Sequence, residues 1–125
     1  IDDYRRTISK NDIEVIMRML GKSRSQAVSN VCLGSSCTEG LPHGFHIEQG
    51  SYTIFQGSTY NPTDPLNEIV GAEGGIVSVS GISDVVFSQL SGDVSSPGSI
   101  ILSDQNGRTY RIDINSEGRV SFVNL

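Results

Sequence analysis

From residue 1 to about residue 30 the apolar positions Ile13, Ile16, Met17, Leu20, Ala27, Val28 and Val31 recur every three or four residues. This is the spacing of one face of an α-helix. The stretch contains no proline and a single glycine, Gly21, so nothing in it removes a backbone donor. With about 100° of rotation per residue, a second set, Ile1, Tyr4, Ile8, Val15 and Met19, collects within roughly 60° on the opposite side. A helix that docks on its own domain needs one apolar face. The second face therefore asks for another partner: a neighbouring subunit, a dimer mate or a longer version of the same chain. Arg24 falls within the first stripe, and its long stem lets the guanidinium reach the edge of the buried face.

After Asn30 the period changes to two, and Gly, Ser, Pro and Asn punctuate short runs of β-formers. The predicted strands are 44–49, 51–56, 67–71, 76–80, 84–90, 99–103, 108–114 and 119–123. Asn106-Gly107 and Ser116-Glu117-Gly118 are reversal signals, so 99–123 reads as a three-stranded antiparallel meander. In its middle strand Tyr110, Ile112 and Ile114 alternate with Arg111 and Asp113, the pattern of a sheet with one buried and one wet face. The prolines at Asn61-Pro62 and Asp64-Pro65 exclude a central strand between Gly57 and Leu66, which reads as a surface loop. The expected fold class is α+β, with a long N-terminal helix packed on antiparallel sheet. One domain spans 1–125: helix 1–30, connecting loop 31–43 and β region 44–125.

At 125 residues the chain is large enough to bury a core without a metal or cofactor. No stretch approaches the ~20 apolar residues of a membrane helix. The net charge of -5 is unevenly spread: six of the nine basic residues lie in the first 24 positions, and residues 25 to 107 hold no Lys or Arg. So acidic a middle cannot displace counterions from phosphates, which argues against nucleic acid as a partner.

Candidate chemistry is sparse. There is no G-x-S-x-G elbow and no H-E-x-x-H helix, so the chain is expected not to be an enzyme. Gly71-Ala72-Glu73-Gly74-Gly75 lacks the lysine and following helix of a phosphate loop and reads as a flexible hairpin. Cys32, Cys37, His43 and His46 form C-x4-C-x5-H-x2-H, four candidate zinc ligands. On an extended strand, however, His43 and His46 point to opposite faces. The expectation is therefore no metal and no cofactor.

Two passages sharpen the plan. Ser23-Arg24-Ser25-Gln26-Ala27-Val28 ends the helix, and the terminal strands run from Gly98-Ser99-Ile100-Ile101-Leu102-Ser103-Asp104 to Gly118-Arg119-Val120-Ser121-Phe122. With the helix-then-sheet order they resemble type IV pilins, above all minor pilins and the H-type minor pseudopilins of type II secretion. The resemblance implies a structural subunit of a pilus or pseudopilus that assembles through its helix with other pilin or pseudopilin subunits and displays a β-domain at the cell surface. It also implies an extracytoplasmic location, with membrane anchoring before assembly through a hydrophobic segment preceding Ile1. Ile1, Tyr4, Ile8, Val15 and Met19 would then be the assembly face. In an extracytoplasmic chain the even cysteine count favours a Cys32–Cys37 disulfide.

Some pseudopilins bind calcium, but Asp64, Glu68, Asp93, Asp104 and Glu117 lack the D-x-D-x-D-G spacing and read as solvated turn acids. Some competence pilins bind DNA through a Gly-Arg-x-Arg phrase, of which Gly118-Arg119-Val120-Ser121 keeps only the first arginine. The competing reading is a secreted adhesin-like β-domain that binds a glycan or protein through loops 57–66 and 91–97, with exposed Tyr60 as its anchor.

Overall fold

The computed structural model describes residues 2–125, with side chains described from Lys10 onward. Helix α1 runs Asp2–Val28, followed by strands β1 His43–Glu48, β2 Ser51–Gln56, β3 Glu68–Gly71, β4 Ile76–Gly81, β5 Asp84–Phe87, β6 Gly98–Asp104, β7 Thr109–Ile114 and β8 Val120–Asn124. The helix ends in a Schellman motif. Asn30 adopts φ 58°, its amide donates to Ala27 O at 3.1 Å, and the Val31 amide donates to Gln26 O at 3.0 Å. Asparagine tolerates that left-handed position better than most side chains, so the helix stops where the sequence period changes.

The eight strands form two antiparallel sheets, ordered β3-β2-β1-β5 and β4-β6-β7-β8. The terminal meander is present, with Ile112 opposite Ile100 on one side and Phe122 on the other. The fifth strand is shorter than its sequence run. The chain turns after Phe87, Leu90 takes φ 71° and its amide donates to Ala27 O at 2.9 Å at the helix end. That bond to a late helical carbonyl is unavailable to a residue still paired in a sheet.

Both sheets cover the helix, and this changes its apolar pattern. Ile13, Ile16, Leu20 and Ala27 are buried as the first stripe requires, but so is Met19, at 3% exposure. Met19 is thus not part of an assembly face. It lies only about 60° from Ile16 around the axis, on the flank whose Asp12 and Lys22 reach the β3–β4 connection and β3. Val15 is partly buried against the same core. Ile1 lies outside the described residues, as do the side chains of Tyr4 and Ile8. Met17, assigned to the main stripe, is also only partly buried, and Val28 is exposed.

Candidate functional site

The two passages that carry the family resemblance meet in space. The Arg24 Nη2 donates to Glu117 O at 3.2 Å, so the guanidinium does reach the edge of the buried stripe. It lies beside two glycine turns. A Cβ on Gly118 would sit 2.2 Å from Gly92 O and 2.8 Å from Arg24 Nε, and one on Gly92 would sit 2.7 Å from Val28 Cγ2. Both glycines have positive φ, so each is required for conformation as well as for space. One residue earlier, the buried Ser23 hydroxyl donates to the carbonyl oxygens of Met19 and Leu20, both at 3.0 Å. A polar side chain can therefore face the core without losing a bond. The Arg24–Glu117 bond and the Leu90–Ala27 bond fix the C-terminal part of α1 to the turn before β8 and to the 88–92 turn.

A second fixing point lies farther up the helix. Asp12 is 2% exposed, and its Oδ1 accepts the Glu73 amide of the β3–β4 connection at 3.0 Å. The glycine-rich stretch 71–75 is therefore not the flexible hairpin its sequence suggests: β3 and β4 lie in different sheets, and the stretch is a crossover between them held by the helix. Burial pushes the Asp12 carboxyl above its ordinary value, opposed by the backbone amides of Glu73, Gly75 and Ile76. Burial likewise raises the nearby Tyr52 hydroxyl, and the Asp12 charge adds to that shift. Sequence reading missed this latch. Its one signal was an acid lying between Ile16 and Met19 on the buried arc.

The cysteines and histidines do not converge. Cys32 and Cys37 are joined in a disulfide with Cα atoms 5.7 Å apart, so neither offers a thiolate to a metal or a substrate. His43 is buried, and its Nε2 pairs with Val31 O at 2.9 Å. His46 lies on the other face of β1, where Nδ1 meets the Asp84 carboxylate and Nε2 lies 3.3 Å from Glu48 Oε1. The imidazole stacks on Tyr60 at a centroid distance of 3.7 Å. Tyr60 also packs edge-on to Phe55, so it closes the 57–66 loop onto the outer face of the first sheet and is not an exposed anchor.

The turn acids are likewise dispersed. Asp104 is buried, with Oδ1 accepting the amides of Asn106 and Arg108, both at 2.9 Å, and Oδ2 accepting the Tyr110 hydroxyl at 2.9 Å. It staples the β6–β7 turn. Asp64 accepts the Leu66 amide, and Glu68 pairs with Lys22 at 2.6 Å. Asp113 is held below its ordinary value first by the Ser99 hydroxyl and then by Arg111.

Between α1 and the last two strands runs an open apolar groove of about 730 Å³, lined by Ile13, Met17, Tyr110, Phe122 and Leu125. It is a surface suited to contact, with no reactive group on its floor.

Comparison with known proteins places these features in a family. The chain matches the family described as type II transport protein GspH over residues 14–118. Its fold is similar to that of the Pseudomonas aeruginosa type IV minor pilin FimU, with a TM-score of 0.64, 15% identity and 91% of each chain covered. No curated protein matches it. Residues 14–118 include the C-terminal half of α1, strands β1 to β7 and both glycines beside Arg24, and this chain belongs to the GspH family of type II secretion pseudopilins.

Proposed function

We propose that this chain is a non-catalytic subunit that enters a type II secretion pseudopilus or type IV pilus through the N-terminal half of α1, with its two-sheet domain facing outward at the cell surface. The observation that carries the reading is the division of the helix. Its 27 residues extend about 40 Å, and the arc from Asp12 to Ala27 is committed to the chain's own sheets. Ile1, Tyr4 and Ile8 precede that arc and form the assembly face in this reading. Val15 borders it, and Met19 drops out of it. Membership in the GspH family and a pilin-like fold support the same reading.

The test is made in the source bacterium with the gene deleted and then restored. Wild type should restore filament assembly or secretion, whereas Ile8→Glu should fail while the protein still folds, because Ile8 lies ahead of the latch at Asp12. Full restoration by Ile8→Glu would contradict the proposed route of assembly. The competing reading of a secreted binding domain loses its structural argument, because its anchor Tyr60 is engaged by His46 and Phe55.

A further inference from the structure

One edge of the second sheet is open. The order β4-β6-β7-β8 gives β8 a neighbour on one side only. The Leu125 amide donates to Thr109 O and the Asn115 amide to Arg119 O, in a register that sets Asn124 opposite Tyr110 and Phe122 opposite Ile112. Hydrogen-bonded and non-hydrogen-bonded pairs alternate in an antiparallel ladder, so the odd-numbered residues of β8 bond to β7. The N–H and C=O groups of Val120, Phe122 and Asn124 therefore point away from the sheet, and among the described residues no other backbone group meets them.

The other edges are guarded. Strand β4 carries a register shift between Ile76 and Ser78. Strand β3 is four residues long, bears Glu68 and follows Pro65, and the Phe87 end of β5 bridges to Val94. Bulges, short strands, charge, proline and cover are the usual devices that keep sheet edges from pairing. Strand β8, Val-Ser-Phe-Val-Asn, has no bulge, proline or charge.

There is room for a strand beside it. The groove of about 730 Å³ and a further hollow of about 660 Å³ both lie between α1 and β8, and Met17 lines both. They follow the helix from Lys10 to Arg24, about 21 Å, the length of six or seven extended residues. Their walls are apolar at Ile13, Met17, Val120 and Phe122. Lys10 and Arg108 stand at one end, Arg24 and Arg119 at the other, and Glu14 is the one carboxylate among the described lining residues. Glu117, 3.9 Å from Arg119, offsets part of that charge. Arg24 Nε and Arg108 Nη1 are buried without a hydrogen-bond partner. Such nitrogens are costly to leave unpaired, and incoming carboxylates would relieve them.

We infer that this crevice is a peptide site, in which an extended segment of a partner protein adds to β8 as a fifth strand of the sheet. Its alternate apolar side chains lie against Met17 and Phe122, and acidic residues near its ends face Arg108 and Arg24. The open backbone groups favour a peptide over an acyl chain, which would cover the apolar walls but leave those groups unpaired. The inference goes beyond the assembly reading and does not depend on it.

The test titrates the 125-residue chain with the end-blocked peptide Glu-Thr-Val-Thr-Val-Thr-Glu, whose two acids and two valines share one face of a strand. Amide chemical shifts and hydrogen exchange are followed. The expected result is saturation by about 1 mM, with shifts on 118–125 and slowed exchange of the Val120, Phe122 and Asn124 amides. Two analogues are compared, one N-methylated at the valines and the other at the threonines. Only one should keep its affinity, because only one set of amides faces β8. Arg108→Glu should weaken binding at least about tenfold, and the methylated peptides probe the same contact in the wild-type chain. Absence of saturation, equal affinity for the two analogues, shifts confined to other surfaces, or displacement of the peptide by equimolar decanoate would overturn the inference. Self-association of the chain alone through 118–125 would do so too, by giving the edge to a second copy.

Discussion

Replacing Asp12 with alanine leaves the Glu73 amide without its acceptor, whereas asparagine keeps an oxygen there and removes the buried charge. Asp12→Ala should therefore cost about 1–3 kcal/mol in urea unfolding, the usual cost of orphaning one buried donor. Asp12→Asn should be neutral or stabilising near pH 7. The sign follows from linkage: burial holds the folded pKa above the ordinary 3.8, so the contribution of Asp12 is complete below that value and is lost as pH rises through the folded one. Asp113 runs the other way. Its lowered carboxyl contributes above 3.8 and loses that contribution as pH falls through its folded value. Unfolding curves for wild type and Asp12→Asn should thus converge toward low pH, and a gap that widened there would show that burial does not dominate at Asp12. Single residues were unevenly legible. Arg24 could be placed at the edge of its stripe because a long stem has one economical way out of a core. Met19 could not be placed, because how wide an arc of the helix is enclosed depends on the β3 side of the first sheet and the β3–β4 connection, which the helix pattern does not specify.

Among the elements, the joint between α1 and the turn before β8 is the most specific. Gly118→Ala puts a methyl group 2.2 Å from Gly92 O at a backbone φ of 81°. It should cost at least about 2 kcal/mol from left-handed strain and overpacking together, whereas Gly50→Ala, with φ 98° but open space around it, should cost only the strain. Equal losses in the two variants would mean that the keystone contact adds nothing. The disulfide that follows the helix closes a small ring, and removing it by Cys32→Ser with Cys37→Ser should cost about 2 kcal/mol in the loop-entropy model. A reductant titration of wild type should approach the same midpoint. The alternating strands and the β6–β7–β8 meander were readable because period and turn residues are local signals. The partition into two sheets was not, because β4 follows β3 along the chain yet pairs with β6, and no local pattern encodes that choice. The Asp12 latch was hidden for the same reason: its partner lies 61 residues away.

The whole molecule separates two tasks. Two sheets and the helix from Asp12 to Ala27 pack around one buried core. The helix ahead of Asp12 remains for neighbours in the reading proposed here. In that proposed reading, contacts rather than chemistry are the output. The most direct measurement shears filaments from cells that express the full-length protein, separates them from membranes and free protein by sedimentation, and probes each fraction for this chain. The account predicts that wild type co-sediments with the filaments and that Ile8→Glu is left in the membrane or soluble fractions. Wild type absent from filaments that are otherwise intact would contradict it.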